Sequence, residues 1–175
     1  MEQVILVDEQ DNEIGSMEKM EAHQKGLLHR AFSVLIFNSK GELLLQKRAK
    51  SKYHSGGLWT NTCCSHPQPG ETIVQAGKRK LLQEMGFECD LYFSHKFIYQ
   101  VELDNNLIEN EYDYVMIGSY DGQPPINKDE AEDWKYESME FVRHNAAVNP
   151  DAYSYWFRLI LSHPQLITKK TDPAY

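Results

Sequence analysis

Short apolar runs that are bounded by turn residues, a pattern typical of β-strands, recur along the first third of the chain. Residues 4–7 form a short apolar run, a turn is expected at 9–12, and a second short strand is expected near Ile14. A short helix is expected over residues 17–23. The pattern then predicts two longer strands at 31–37 and 42–48, joined by a turn at 38–41.

The middle of the chain changes to a helical period. Residues 72–85 are predicted to form a helix, because Thr72 and Gln75 match a capping box and Gly86 is suited to the C-terminal end. Strand patterns return after this helix, at 96–103, 108–120 and 134–136. A last helix is expected to begin at Asn149-Pro150 and to end near His163.

Strand pairs that are interleaved with two or three helices predict an α+β fold, with a mixed β-sheet sandwiched between α-helices. The chain has 175 residues, of which 41% are hydrophobic and 25% are charged, as is ordinary for one globular domain. Residues 1–165 are expected to form this single domain. Residues 166–175 are expected to be a poorly ordered tail.

The charge of the chain narrows the class of partner. The formal net charge of −8 argues against nucleic acid, whereas a small anionic substrate remains possible where a few Lys and Arg side chains converge. No apolar run is long enough to cross a membrane, and no export signal is present. The three cysteines are then expected to be free thiols in a reducing cytoplasm. The expected assembly is a monomer or a weak homodimer.

The segment at residues 59–67, which reads WTNTCCSHP, contains the most reactive side chains of the chain. It places Cys64 two residues before His66. A thiol can transfer protons or attack carbon, and an imidazole can bind a metal. On a strand, Cys63 and Cys64 would point to opposite faces, so only one of them can face a site.

A set of nitrogen and oxygen donors predicts a divalent metal site. It consists of His23, His29, His66, Glu109 and Glu111. The two glutamates are at i and i+2, so on a strand both carboxylates project from one face, which Asp113 continues. Such a mixed set suits Mn, Zn, Fe or hydrated Mg better than a Cys-rich structural site does. The alternative is that these are ordinary surface residues on a solvated strand.

The predicted helix contains a second pattern. Glu71, Arg79, Glu84 and Gly86 fit a degenerate form of the Nudix box, and Lys80 and Glu84 share one face of the helix. Three positions depart from the box: Ser65 replaces its first glycine, and Lys80 and Gln83 replace two of its glutamates. Diphosphate hydrolases of this class need those carboxylates to bind several metal ions, so the departures argue against efficient hydrolysis.

Cations and aromatic residues complete the candidate site. Lys19, Arg48, Lys52 and Lys80 would suit a diphosphate if they cluster, although the Lys-rich segment 47–52 could be a solvated loop. Tyr99 and Trp156 are ordinary core residues in the alternative interpretation. An indole face can otherwise stabilise a cation on the substrate.

Taken together, these residues resemble the type I isopentenyl-diphosphate isomerases of the Nudix superfamily. The likeness runs from Val4 to about Leu161. Its segments are 18–19 with 22–23, 28–33, 59–61 with 64–67, and Glu109-Asn110-Glu111. The Cys-x-His-Pro segment after Trp-Thr-Asn, combined with Glu-Asn-Glu, is a specific signature, whereas the eroded box alone would be weak evidence.

The resemblance implies interconversion of isopentenyl diphosphate and dimethylallyl diphosphate through a tertiary carbocation. Glu111, assisted by Tyr99, would protonate the alkene, Cys64 would remove a proton from C2, and Trp156 would face the cation. The basic set Lys19, Arg48, Lys52 and Lys80 would bind the diphosphate. His23, His29, His66, Glu109 and Glu111 would hold one divalent metal, and Glu84 would hold Mg²⁺ with the diphosphate.

The resemblance also indicates which of the other cysteines and histidines have no role in the reaction. Cys64 has the Cys-x-His-Pro spacing, so Cys63 and Cys89 are expected to be small buried residues, and a lowered pKa is expected for the Cys64 thiol beside a metal ligand. No ligand role is expected for the other histidines, which are His54, His95, His144 and His163. Whether Lys80 or Arg79 contacts the diphosphate stays open.

Two other functions remain as alternatives to an isomerase. One is a Nudix hydrolase of a nucleoside or prenyl diphosphate, which Lys80 and Gln83 disfavour. The other is a non-catalytic domain that binds a metal or a diphosphate. The simultaneous presence of Cys64, Tyr99, Glu111 and Trp156 disfavours it.

Overall fold

The computed structural model describes residues 2–166, which form one mixed sheet of nine strands with four α-helices. The first half contains β1 (Gln3–Val7), β2 (Glu13–Glu18), α1 (Lys19–Lys25), β3 (His29–Phe37), β4 (Leu43–Arg48), β5 (Trp59–Thr60), β6 (Cys63–Ser65) and α2 (Ile73–Met85). The second half contains β7 (Tyr92–Glu102), β8 (Ile108–Ser119), β9 (Ala131–Glu137), α3 (Met139–Val148) and α4 (Tyr155–Ser162). Short 3₁₀ turns at 104–106 and 150–152 complete the path.

Strand β3 is the centre of the sheet. It runs parallel to β8 along its whole length, from the His29–Glu111 pair to the Phe37–Ser119 pair. Strand β6 pairs antiparallel to β3, with Ser33 opposite Cys64. Strands β6 and β8 therefore bring residues from distant parts of the sequence to the two sides of one strand.

Helices cover both faces of the sheet. Successive residues of β3 point to opposite faces and belong to two separate apolar cores. Leu35 belongs to the core that α3 and α4 cover, together with Val142, Phe157 and Ile160. Val34 belongs to the opposite core, where α2 contributes residues such as Leu81. The prediction of a mixed sheet sandwiched between helices is confirmed. None of the helices in the described part is long and apolar enough to span a membrane.

The helix predicted from the capping box forms as expected. The Thr72 side chain accepts from the backbone of Gln75, and the Gln75 side chain accepts in return from the Thr72 backbone. Gly86 ends the helix with a left-handed φ of 77°. The helix therefore begins and ends close to the predicted residues. Its buried side, as expected, includes both Lys80 and Glu84.

One helix was not predicted, and the predicted start of another was wrong. Helix α3 was not expected, because its first turn is weakly patterned, with Phe141 exposed and only Val142 and Ala146 buried. The last helix does not begin at Pro150: residues 150–152 form a 3₁₀ turn, and α4 begins at Tyr155 after the Ser154 N-cap. Tyr153 and Ser154 are extended here, because Trp59 bridges to Tyr153 and its carbonyl accepts from the Ser154 backbone.

Leu166 is the only residue of the predicted tail, 166–175, that the structure describes. That side chain is buried and belongs to the core under α4. The other residues of the predicted tail, 167–175, lie outside the described residues.

Gly86 is a position where we expect a substitution to destabilise the fold. A Cβ atom there would lie 2.5 Å from the Pro125 carbonyl oxygen, in addition to the strain of its positive φ. We expect Gly86→Ala to lower the free energy of unfolding by about 1–3 kcal/mol in urea titrations. Gly70→Ala is the matched control, because Gly70 has a φ of 82° but no atom within 4 Å of the point that a Cβ would occupy. Equal losses in both variants would show that the Pro125 contact relaxes without cost.

Candidate active site

One pocket collects most of the side chains that the sequence singled out. Its lining includes residues from α1, β4, β6, α2, β7, β8 and α4. The predicted site residues on its wall are Lys19, Arg48, Lys52, Cys64, His66, Lys80, Glu84, Tyr99, Glu109, Glu111 and Trp156. His23 and His29 are fully buried, and their rings pack against that of His66.

Three imidazoles are oriented so that ring nitrogens converge. The Nδ1 atoms of His23 and His29 lie 2.7 Å from the carbonyl oxygens of Lys19 and Leu27, so each Nδ1–H donates to a carbonyl. Each Nε2 then carries a lone pair, and neither has a hydrogen-bond partner among the described residues. An outer hydrogen bond that fixes the tautomer in this way is typical of histidines that bind metals.

These nitrogens form a compact group with one carboxylate. Donor atoms of His23, His29, His66 and Glu111 all lie within 4.8 Å of one another, and all four residues are buried. Burial lowers the pKa of His23 and brings that of His66 to about 4, which keeps both rings neutral, as metal ligands must be. The donor set and the unpaired nitrogens therefore fit a divalent metal ion. Glu109 lies outside this compact group.

Glu109 and Glu111 share one tyrosine. The Tyr99 hydroxyl lies 2.6 Å from Glu111 Oε2 and 2.9 Å from Glu109 Oε2. Because a phenol has only one proton, it can donate to one carboxylate, and the second contact is a hydrogen bond only if the other carboxyl group is protonated. The group formed by Glu109, Tyr99 and Glu111 can therefore hold one additional proton inside the pocket. Both glutamates are buried, so the alternative of a solvated strand face is wrong.

The two carboxyl groups have different electrostatic environments. Burial, followed by the negative charge of Glu111, raises the pKa of Glu109 well above its ordinary value. Burial acts in the same direction on Glu111, but contacts to His29 and His66 outweigh it and lower the pKa of Glu111. The His66 ring nitrogen lies 2.8 Å from Glu111 Oε1. In the protein without a bound ion, the additional proton thus favours Glu109.

Cys64 lies across β3 from the acidic strand. It is on β6, paired with Ser33, whereas Glu111 is on β8, paired with His29 of the same strand. Two strand spacings of about 4.8 Å separate β6 from β8, so the thiol and the carboxyl group flank the pocket from different strands. As predicted, Cys63 points to the opposite face and is fully buried in the core under α2.

The prediction of a lowered pKa for Cys64 is wrong for the charges that the protein itself supplies. Burial raises the pKa of this thiol, Arg48 lowers it, and the carboxylates of Glu84, Glu109 and Glu111 raise it again. The Cys89 thiol, expected to be buried, is half-buried.

The predicted cations line the pocket, but most are also paired with an acid. Lys80 Nζ lies 3.2 Å from Glu84 Oε1, Lys52 pairs with Glu130, and Lys19 Nζ lies 3.2 Å from Glu2 Oε2. Arg79 makes a bidentate pair with Glu71 at 2.7 and 2.8 Å and is not part of the pocket lining. Lys80, and not Arg79, therefore faces the site.

Trp156 forms an aromatic part of the pocket wall. It is 2% exposed, and its indole N–H donates to Asn61 Oδ1 at 3.2 Å. The Arg48 guanidinium lies 5.1 Å from the centre of the ring. Trp156 is thus a core residue and also a pocket residue, so the two interpretations of this side chain are compatible.

His54 was not expected at the site, but the structure places it there. It is buried in the pocket wall, and its Nε2 lies 3.2 Å from Glu109 Oε1. His95 and His163 stack on each other away from the pocket, and His144 is exposed. Sequence spacing gives no signal for the contact between His54 and Glu109. His54 lies in the loop between β4 and β5, and Glu109 lies on β8, 55 positions later.

The fold and the remnant of the box define the class of protein. A family model described as NUDIX domain matches residues 27–158, so the chain is a Nudix protein. Two solved structures share the fold: that of a Deinococcus radiodurans protein, with a TM-score of 0.76 at 18% identity over 91% of this chain and 97% of that one, and that of a MutT protein from Methanosarcina mazei, with a TM-score of 0.63 at 17% identity over 77% and 90%.

More similar relatives identify the branch of this superfamily. The chain is 55% identical over 155 residues to isopentenyl-diphosphate Delta-isomerase 1 of Aromatoleum aromaticum, which covers 89% of this chain and 88% of that protein. It is 52% identical to isopentenyl-diphosphate Delta-isomerase 2 of Photorhabdus laumondii, over 91% and 90% of the two chains. The chain belongs to the isopentenyl-diphosphate Delta-isomerase family.

Proposed function

We propose that this protein interconverts isopentenyl diphosphate and dimethylallyl diphosphate. The single observation that carries the proposal is the pocket that holds a thiol, a Tyr-linked carboxyl pair and an indole together. A hydrolase of the same fold would need the carboxylates that Lys80 and Gln83 replace. The names of the relatives support the same reaction.

The first step of the proposed reaction is a proton transfer to the alkene. Glu111, assisted by the Tyr99 hydroxyl, donates a proton to the terminal methylene of isopentenyl diphosphate, which leaves a tertiary cation at C3 and a carboxylate on Glu111. An alkene is a very weak base, so this transfer needs a positioned acid and a site that excludes water. The burial of both side chains supports this role.

The second step removes a proton from C2. Cys64, as a thiolate, accepts this proton, which forms the internal double bond of dimethylallyl diphosphate and leaves a neutral thiol. Because burial raises the pKa of this thiol, positive charge from the bound ions would be needed to favour its thiolate form. The indole of Trp156 faces the cation between the two steps and stabilises it through the negative face of its ring. The net result is one proton gained at the methylene and one lost at C2, so the substrate keeps its composition.

We assign the metal and diphosphate subsites as follows. The compact group of His23, His29, His66 and Glu111 would hold one divalent ion, either Mn²⁺, Zn²⁺ or Mg²⁺, and Glu109, which lies outside that group but shares the Tyr99 hydroxyl with Glu111, would complete its ligands. The ion would supply positive charge that fixes the carboxylates. Glu84 would hold Mg²⁺ together with the substrate diphosphate, in the manner usual for this ion. Lys19, Arg48, Lys52 and Lys80 would bind the phosphate oxygens.

A coupled assay with purified protein, isopentenyl diphosphate and Mg²⁺ tests the function. We expect dimethylallyl diphosphate to form without release of phosphate or pyrophosphate. Release of either without isomerisation would support a hydrolase instead. Tight binding of the diphosphate without any turnover would support a non-catalytic binding domain.

Removal of the metal is expected to abolish isomerisation. A strong chelator should strip the ion, and Mn²⁺ or Mg²⁺ should restore activity, because the three imidazoles remain prearranged. Metal content per chain and turnover are measured on the same samples. His23→Ala should bind less metal and recover less activity than the wild type, whereas the exposed-site variant His144→Ala should behave as the wild type does. Full activity in metal-free samples would contradict the assignment.

Substitution of Lys80 is expected to weaken substrate binding. Lys80→Gln removes a buried cation from the pocket wall, so we expect KM for isopentenyl diphosphate to rise about 10-fold or more, as for loss of a charged hydrogen bond. Arg79→Gln is the neighbouring control, because Arg79 pairs with Glu71 instead of facing the pocket. A larger rise in KM for the Arg79 variant would reverse this assignment.

A further inference from the structure

His54 contacts Glu109, the member of the carboxyl pair that His29 and His66 do not approach. Those two rings lie against Glu111, whereas His54 Nε2 lies 3.2 Å from Glu109 Oε1. The other oxygen of Glu109 lies 2.9 Å from the Tyr99 hydroxyl. Each oxygen of Glu109 therefore has one polar neighbour.

His54 has a second polar neighbour. Its Nδ1 lies 3.2 Å from the Ser55 hydroxyl, and when that hydroxyl donates to Nδ1, Nε2 is the nitrogen that carries the hydrogen. The ring also stands edge-on to Trp156 and Tyr53, which restricts its rotation.

The loop that carries His54 is anchored without its imidazole. The Arg48 guanidinium donates to the His54 carbonyl at 3.1 Å, and the Asn105 side chain donates to the Tyr53 carbonyl at 3.2 Å. Gly56 is also packed closely against the backbone of Lys50. The main chain can therefore keep its path when the His54 side chain is changed. The imidazole is not needed to hold the loop in place.

We propose that His54 is a positioning residue for proton transfer: its Nε2–H donates to the Glu109 carboxyl group and holds it against Tyr99, and so aligns the Tyr99 hydroxyl with Glu111. The catalytic part of this inference rests on the isomerase function proposed above. The proposed hydrogen bond between His54 and Glu109 does not depend on that function. Partners of this kind, one contact removed from the reacting groups, commonly change activity by about 10- to 100-fold when they are lost.

NMR of the ¹⁵N-labelled protein tests the hydrogen bond without any turnover. We expect His54 to carry its hydrogen on Nε2, and its Nε2 resonance to shift in Glu109→Gln. The resonances of the exposed His144 should not change in that variant. A His54 that carries its hydrogen on Nδ1, or that does not respond to Glu109→Gln, overturns the proposal even if the protein proves not to be an isomerase.

Kinetics test the positioning role. In His54→Phe, which keeps the ring shape but has no donor, we expect kcat to fall about 10- to 100-fold, with KM changed by less than about threefold. In His54→Gln, which keeps an N–H donor, kcat should recover most of the loss. His144→Phe is the matched control. Metal content equal to that of the wild type would verify that the cluster around Glu111 is intact.

Three results would overturn the positioning role: equal losses of kcat in the Phe and Gln variants, an effect confined to KM, or no effect in His54→Phe. If His54→Phe does not fold, His54→Gln and the NMR measurement still decide. A wild-type protein that does not isomerise the substrate refutes the proposed function and the catalytic part of this inference, while the NMR result reports on the hydrogen bond separately.

Discussion

Isomerisation by Cys64→Ala is expected to be slower than that of the wild type by at least about 10²–10⁴-fold, the usual contribution of a positioned acid or base. Cys64 is the one cysteine of the described chain that lines the pocket. Alanine leaves no group there that can accept the C2 proton. The loss should appear in kcat, because the proposed diphosphate subsite on Lys52, Lys80 and their neighbours is unchanged. Initial rates over a range of isopentenyl diphosphate concentrations measure it.

Cys63→Ala is the control for this experiment. Cys63 is adjacent in sequence, but its side chain is buried in the core under α2. We expect Cys63→Ala to lower stability modestly, through a small cavity, and to keep most of the wild-type kcat. If Cys63→Ala lost as much activity as Cys64→Ala, the assignment of the proton acceptor from strand alternation would be wrong.

The second large effect is expected for Glu111→Gln. Glutamine has nearly the same shape, but it cannot donate an acidic proton, and it removes the carboxylate from the group with His23, His29 and His66. We expect kcat to fall by at least about 10²–10⁴-fold, together with weaker metal binding. Turnover and metal content, measured on the same preparation, separate this variant from Cys64→Ala, which should keep its metal.

Asp113→Asn is the matched control, because Asp113 is the next residue on the same face of β8. It accepts a hydrogen bond from the Ser33 hydroxyl at 2.8 Å. Burial, followed by the charge of Glu111, raises the pKa of Asp113 to about 8, so it is mostly neutral at pH 7, as an amide is. We expect near wild-type kcat and metal content in Asp113→Asn. A loss comparable to that of Glu111→Gln would mean that the acidic face acts as a whole.

The charge states in the pocket were not predictable from the sequence. The lowered pKa expected for Cys64 assumed a neighbouring positive charge, but burial and three carboxylates act in the opposite direction. The contrast between Glu109 and Glu111 has the same origin: contacts to His29 and His66 lower the pKa of Glu111, whereas burial and the charge of Glu111 raise the pKa of Glu109. Such shifts depend on distances between groups that are far apart in the sequence, and on how much water is excluded.

Local patterns by themselves determined a large part of this protein. Alternation along a strand put Glu109 and Glu111 on one face and separated Cys64 from Cys63. The capping box and Gly86 fixed the bounds of α2 and hence the shared face of Lys80 and Glu84. These are consequences of backbone geometry within a few residues, so they do not require knowledge of the fold.

The tertiary structure alone decided which side chains meet. The parallel pairing of β3 with β8 brings Glu111 to His29, and the antiparallel pairing of β6 carries His66 to the same point, 45 residues from Glu111 in sequence. The same packing turned Arg79 toward Glu71 and put His54 against Glu109. Periodicity gives the face of a strand but not its neighbour, because the neighbour is chosen by the packing of the whole sheet.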